Sequence, residues 1–232
     1  MQRRLLSGTA ALILLCASVT ARAESRLAEL LARAAPSADP AVLTLAARAA
    51  ECARSEGPQA EVDRLAVIDY SRPSSEPRLW VFDLDRGRLL FEELVAHGRG
   101  TGERFASRFS NTEGSHMSSL GLFRTTEPYT GENGYSLRLQ GLEPGFNDLA
   151  FERAIVMHGA PYVSQDLIRK QGRIGRSWGC PAVRSGVARR MIDTLKHGAL
   201  LFAYYPDRKW LEESSYLSCG SAPAAAAVAR AR

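Results

Sequence analysis

The hydrophobic pattern changes period at residue 62, and this constrains the fold more than any other feature of the chain. Before it, residues 25–35 (SRLAELLARAA) and 40–55 (PAVLTLAARAAECARS) carry apolar residues at helical spacing. Asp39 and Pro40 supply a cap and a first-turn proline for the second helix, and Gly57-Pro58 a stop. After it come short apolar or alternating runs that read as strands: LAVIDYS, RLWVFDLD, RLLFEELVAHG, LGLFRTT, YSLRLQGL, RAIVMHG and ALLFAYY. Asp85-Arg86-Gly87 reads as a hairpin turn, and the glycine- and serine-rich stretch from Gly98 to Ser119 as a long loop. One helix comes late. Ser185 caps GVARRMIDTLK, whose Val187, Met191, Ile192 and Leu195 line one face, and His197-Gly198 end it. The expected fold is mixed and β-rich: two packed β-sheets, a late α-helix and a short helical N-terminal lead-in. The expected divisions are a lead-in over 24–60, a strand-rich domain over 62–206 and a tail over 207–232.

The first 23 residues read as a secretory signal. Arg3 and Arg4 precede an apolar run from Ala10 to Val19, and Ala21-Arg22-Ala23 offers small residues at the cleavage positions. The run is too short to span a bilayer as a stable helix. Cys16 invites a lipoprotein reading, but Leu15 stands where such sites need a small residue. Arg3-Arg4 with Leu5-Leu6 also hints at twin-arginine export. The signal holds three arginines and no acid, so its removal takes the formal charge from +5 to +2. That is an ordinary solubility balance and points to no nucleic-acid partner. With no second hydrophobic span, the expectation is a soluble protein in the periplasm or another extracytoplasmic space.

Cysteine arithmetic follows from that compartment. Cys52, Cys180 and Cys219 remain after cleavage, an odd number where disulfides form. The economical pairing joins Cys52 to Cys219 in the two flanks and leaves Cys180 free. Cys180 lies in GRSWGCPAVR, between Gly179 and Pro181 and near Arg176 and Arg184. A cationic, sharply held turn is where a thiol pKa falls and a thiolate becomes a nucleophile. Acyl transfer by such a thiolate needs an imidazole base and donors for an oxyanion. His158 ends the apolar run AIVM at a strand-to-loop junction and is the best-placed of the four histidines. His197 suits a helix end, His97 a loop, and His116 the long loop. The N–H groups of Gly179 and Cys180 are candidate oxyanion donors. No C-x-x-C, H-x-x-x-H or H-E-x-x-H spacing occurs, so neither a metal nor another cofactor is expected.

RAIVMHGAPYVS followed by GRIGRSWGCPAVR closely resembles the murein L,D-transpeptidase catalytic domain family, a divergent branch of the YkuD-like enzymes. The resemblance runs from about Leu65 to Tyr205 and takes in VAHGRGTGERFASRFSNTEGSHMSSLGLF and GYSLRLQGLEPGFNDLAFERAIVMHG. In YkuD-like enzymes a histidine precedes a Ser/Thr-His-Gly-Cys segment. His158 matches the first, and Ser177, Gly179 and Cys180 match the second. Trp178 replaces the motif histidine, and Ala182 stands where the wider family often has asparagine. The interval of 22 positions from His158 to Cys180 is longer than usual.

The resemblance implies a YkuD-like fold and a peptidoglycan L,D-transpeptidase without cofactor. Cys180 would attack the L-centre carbonyl of the diamino acid in a tetrapeptide stem and release D-alanine. His158 would be the base, oriented by the backbone carbonyl of Gly159, and an acceptor amine would resolve the thioester. It also implies capture by carbapenem-type inhibitors. Arg173, Arg176 and Arg184 suit the carboxylates of stem peptides, with a solvated basic loop as the plainer use of each. Tyr162 and Trp178 can wall the donor peptide, or Trp178 can pack under the turn. Ser164 and Ser177 can equally hydrogen-bond their own loops. Two other activities stay open: an L,D-carboxypeptidase using water, and a non-catalytic wall-binding module.

Overall fold

The structure, a computed structural model, describes residues 25–55 and 62–219. The signal segment, Gly57-Pro58 and the chain beyond Cys219 lie outside the described residues. Two helices open the fold, α1 (Arg26–Ala34) and α2 (Pro40–Ser55). Ser25 caps α1 by accepting from the Ala28 amide, and Asp39 accepts from the Ala41 amide at the start of α2. In α2, Ala46, Ala47, Ala49 and Ala50 are wholly buried. Such small side chains let the helix lie close against the sheet.

Nine strands follow: β1 (Arg64–Asp69), β2 (Leu79–Asp83), β3 (Arg88–Glu93), β4 (Val95–Ala96), β5 (Gly121–Gly131), β6 (Gly134–Gly141), β7 (Val156–Ala160), β8 (Ala182–Arg184) and β9 (Leu200–Tyr204). The fold is β-rich and mixed, as the change of period implies. Its strands form one continuous ladder in the order β3-β2-β1-β9-β5-β6-β7-β8-β4 rather than two separate sheets. The last strand is the reason. β9 inserts between β1, to which it is parallel, and β5, to which it is antiparallel, and so joins the two halves.

Three further details differ from the sequence reading. RLLFEELVAHG breaks at Leu94: β3 pairs with β2, whereas β4 pairs with β8. The helix over 185–195, α4 (Ser185–Leu195), has Arg184 at its cap position without a side-chain cap. An additional helix, α3 (Gln165–Gln171), is capped by Ser164, which accepts from the Leu167 amide, and closes at the left-handed Gly172.

The segment after β9 is packed as far as Cys219. It forms α5 (Arg208–Glu213) and α6 (Ser215–Ser218). Trp210 is wholly buried and donates to Glu143, whose carboxylate also accepts from the Leu122 amide. Cys219 is bonded to Cys52 of α2, with alpha carbons 5.8 Å apart. The lead-in, the sheet and α4 share one hydrophobic core that includes Leu43, Leu65, Phe82, Leu122, Met191 and Phe202. Among the described residues no helix is long and apolar enough to cross a membrane.

Candidate active site

Strand register sets the site. Ser136 on β6, His158 on β7, Ala182 on β8 and Ala96 on β4 stand opposite one another in a row. Paired residues on adjacent strands point to the same face. Met157 and Val183 therefore face the other way, into the core that holds α4. Gly159 belongs to that second face, where a Cβ would lie 2.8 Å from the Ala188 side chain. The helix requires a glycine there.

His158 is buried, and its Nδ1 lies 3.1 Å from the Gly159 carbonyl oxygen. A carbonyl only accepts, so Nδ1 carries the proton and Nε2 presents a lone pair. Burial pushes the imidazole pKa below its ordinary value, and the Gly159 hydrogen bond offsets part of that. The ring is neutral at pH 7.

Cys180 is free and half-buried. Its sulfur accepts from the Val156 amide at 3.4 Å and reaches the Ala154 carbonyl at 3.7 Å. Val156 stands two residues before His158, and Cys180 two before Ala182, the register partner of His158. The sulfur thus sits one step along the strands from the histidine. No hydrogen bond joins the two side chains; the sulfur is held by backbone. Burial pushes the thiol pKa up, while the Val156 amide and the charge of Arg153 pull it down. The upward shift reverses the expectation of a thiol made acidic by Arg176 and Arg184.

Those arginines are engaged elsewhere. Arg176 donates to Glu103 at 2.6 Å and to the Gly102 carbonyl at 3.1 Å. Arg173 pairs with the same Glu103 at 3.0 Å. Arg184 forms a two-pronged pair with Glu93 at 2.8 and 2.6 Å. Each is paired with a carboxylate from another segment, so a substrate carboxylate would have to compete with that pair.

The turn is held from within. Ser177 Oγ donates to the Cys180 carbonyl at 2.7 Å and accepts from the Gly179 amide at 3.1 Å. Ser177 is a turn staple, and the Gly179 amide is already bonded. Of the two oxyanion donors expected, the Cys180 amide alone has no partner outside its own residue among the described residues. Gly179 has φ +126°, and a Cβ on it would lie 2.9 Å from both the Met117 carbonyl oxygen and Ile155 Cδ1. Backbone this close, in this conformation, admits only glycine.

The remaining histidines and aromatics define the surroundings. Trp178 is exposed and stacks on His116, with ring centroids 5.1 Å apart. Tyr162 packs on Gly175; burial first, and then the nearby Cys180, raises its hydroxyl pKa to about 12. His97 is buried beside Arg78, whose Nη2 donates to its Nδ1 at 2.8 Å. Burial and the Arg78 charge bring the His97 pKa down to about 3. The His97 carbonyl accepts from the Ser177 amide at 3.0 Å, so this buried pair anchors the start of the turn. His197 is exposed and paired with Glu127 of β5.

Arg153 is the site residue that sequence reasoning missed. Its guanidinium donates to the carbonyls of Ser110 and Met117 at 2.8 and 2.7 Å, and to Ser119 and Ser115 hydroxyls at 2.6 and 3.3 Å. It pins the long loop beside Cys180. Next to it Ala154 adopts φ +51°, which aims its carbonyl at the sulfur. Only its place at the head of RAIVMHG hinted at this, and a charged strand entry is too common to be distinctive.

A model of the L,D-transpeptidase catalytic domain family matches residues 34–204. The chain belongs to this family. The matched span of the L,D-transpeptidase domain includes α2, all nine strands, His158 and Cys180. Curated proteins give no match. Among solved structures, the chain is similar to an L,D-transpeptidase from Mycobacterium smegmatis, with 13% identity over 62% of this chain and 59% of that one, TM-score 0.39. It is also similar to an L,D-transpeptidase from Stackebrandtia nassauensis, with 12% identity over 77% and 76%, TM-score 0.38. A third likeness is to an L,D-transpeptidase in complex with imipenem, with 14% identity over 61% and 59%, TM-score 0.38. At these scores family membership rests on the domain match alone. The chain spans about three fifths of the length of the first and third of these proteins.

Proposed function

We propose that this L,D-transpeptidase domain is a cysteine acyltransferase acting on peptidoglycan stem peptides, with Cys180 as nucleophile and His158 as base. The observation that carries the reading is the pairing of a free thiol with a neutral imidazole one register step away, its Nε2 unoccupied. At rest the Val156 amide and Ala154 carbonyl hold the sulfur. Rotation of the Cys180 side chain toward Nε2 transfers the thiol proton to His158 and forms the thiolate. The thiolate attacks the L-centre carbonyl of the diamino acid, and the Cys180 amide donates to the oxyanion. Collapse breaks the peptide bond, and D-alanine leaves with the proton held by His158. An acceptor amine then attacks the thioester, gives up a proton to His158, and the thiol is restored.

The same thiol is the site at which carbapenem-type inhibitors would acylate. An extracytoplasmic location is supported by the Cys52–Cys219 disulfide, since such bonds persist in oxidising compartments.

The test is incubation with a disaccharide-tetrapeptide, with and without an acceptor stem, followed by mass spectrometry. A cross-linked dimer is the expected product. Tripeptide alone makes the protein an L,D-carboxypeptidase. Unchanged substrate, equal to that with Cys180→Ala, makes it a wall-binding module and sinks the proposal.

A further inference from the structure

A cavity opens on the face of the sheet that carries His158. Arg138 on β6 is the register partner of Val156, whose amide touches the Cys180 sulfur. Paired residues share a face, so Arg138 and His158 lie on the same side, one step apart along the strands. The cavity measures about 520 Å³ and is walled by Arg138, Phe151, Glu152, Glu127 and Asp148 among others. Glu152 and Phe151 come two and three residues before Ala154, the other partner of the sulfur.

Arg138 differs from every arginine that the sequence suggested for substrate. Its guanidinium lies over the ring of Tyr129, centroid 4.2 Å away, and beside Phe151 at 5.6 Å. Among the described residues it makes no hydrogen bond and no ion pair. Ring stacking fixes the plane of a guanidinium and leaves its N–H edge free for a planar anion. Glu152, also in the wall, is likewise without a hydrogen bond or ion pair among the described residues. The other two acids are occupied: Asp148 accepts from Asn111 and the Gly145 amide, and Glu127 meets His197. Thr126, also in the wall, has a buried hydroxyl with no partner among the described residues. A free cation and a free anion thus share one cavity without closing on each other. A simple anion would meet the acids, and a simple amine would meet Arg138; a ligand carrying both charges satisfies both free groups.

We infer that this cavity binds an amino-acid head group, with its carboxylate on Arg138 and its ammonium on Glu152. Resting on the acyl-transfer reading, the cavity then receives the free amino-acid end of the acceptor diamino acid: Arg138 selects acceptors that retain a carboxylate, and the ammonium gives one proton to Glu152 before the neutral amine attacks the thioester.

Titration of the isotope-labelled protein with free 2,6-diaminopimelic acid, its bis-amide and cadaverine, followed by NMR shifts, tests this without any need for turnover. The diamino acid should shift resonances of Phe151 and neighbouring residues, and both carboxylate-free probes should bind about tenfold more weakly or worse. Arg138→Gln should abolish the preference for the carboxylate. Glu152→Gln, an exposed change that leaves the fold alone, should weaken the diamino acid several-fold. Equal binding of all three probes, binding unchanged in both variants, or no shift near Phe151 overturns the inference. Acyl-enzyme formation at Cys180 is read separately, so the acyl-transfer reading can stand when this one fails.

Discussion

Arg153 donates to the Met117 carbonyl at 2.7 Å, and that oxygen lies 2.9 Å from where Gly179 would carry a Cβ. The guanidinium thus fixes the wall against which the Cys180 turn is pressed. It also supplies the cation that favours the thiolate. Replacing Arg153 with Met should slow alkylation of Cys180 by iodoacetamide several-fold at pH 8 and move the midpoint of the pH profile upward. Arg153→Lys should restore the midpoint while losing the loop bonds. A purely structural arginine would lower the melting temperature and leave the pH profile where it is.

Gly179→Ala should remove acylation. The positive φ and the contact with Met117 both oppose a side chain, at a cost of about 1–3 kcal/mol. A variant that acylates at the wild-type rate would show that the turn is not held as tightly as its contacts imply.

Loss of His158 should stop chemistry and spare the fold. His158→Ala is expected to keep its melting temperature and its Cys180 alkylation, yet to form little acyl-enzyme with a carbapenem. Because burial raises the thiol pKa and lowers the imidazole pKa, alkylation of wild type should still be rising above pH ~8.5. If His116→Ala blocks acylation and His158→Ala does not, the base has been misassigned.

Stability should fall with acid, and His97 should account for part of the fall. Its folded pKa of about 3 lies below its ordinary value of 6.5, so between these the unfolded chain binds a proton that the native state refuses. The stabilisation is complete above pH 6.5 and is lost on descending toward pH 3. Asp69 and Glu143, whose pKa values burial raises, act in the opposite sense. The difference between wild type and His97→Gln, measured by denaturant unfolding across this range, isolates the histidine. Parallel curves would rule out the effect.

Reduction of Cys52–Cys219 should lower stability by about 5 kcal/mol in the chain-entropy view, because the sequence separation of 167 closes a long loop. Thermal melts with and without dithiothreitol, compared with Cys52→Ser, measure it. Coincident melts would mean that the packing of Trp210 and Leu217 already holds the C-terminal helices.

The sequence by itself determined the β-rich class, the two leading helices, α4, the cysteine that stays free and the family. These depend on local period, on turn residues and on counting, all of which are written along one dimension. Tertiary structure decided the single nine-stranded ladder, because the place of β9 between β1 and β5 is a pairing between segments far apart in the chain. It also decided which arginines are available. Arg173, Arg176 and Arg184 look cationic in sequence, but Glu103 and Glu93 arrive from distant segments and occupy them. Arg153 and Arg138 lie in unremarked strand contexts and become distinctive only by what surrounds them. A charge near a thiol matters through distance and burial, and neither quantity exists until the chain has folded.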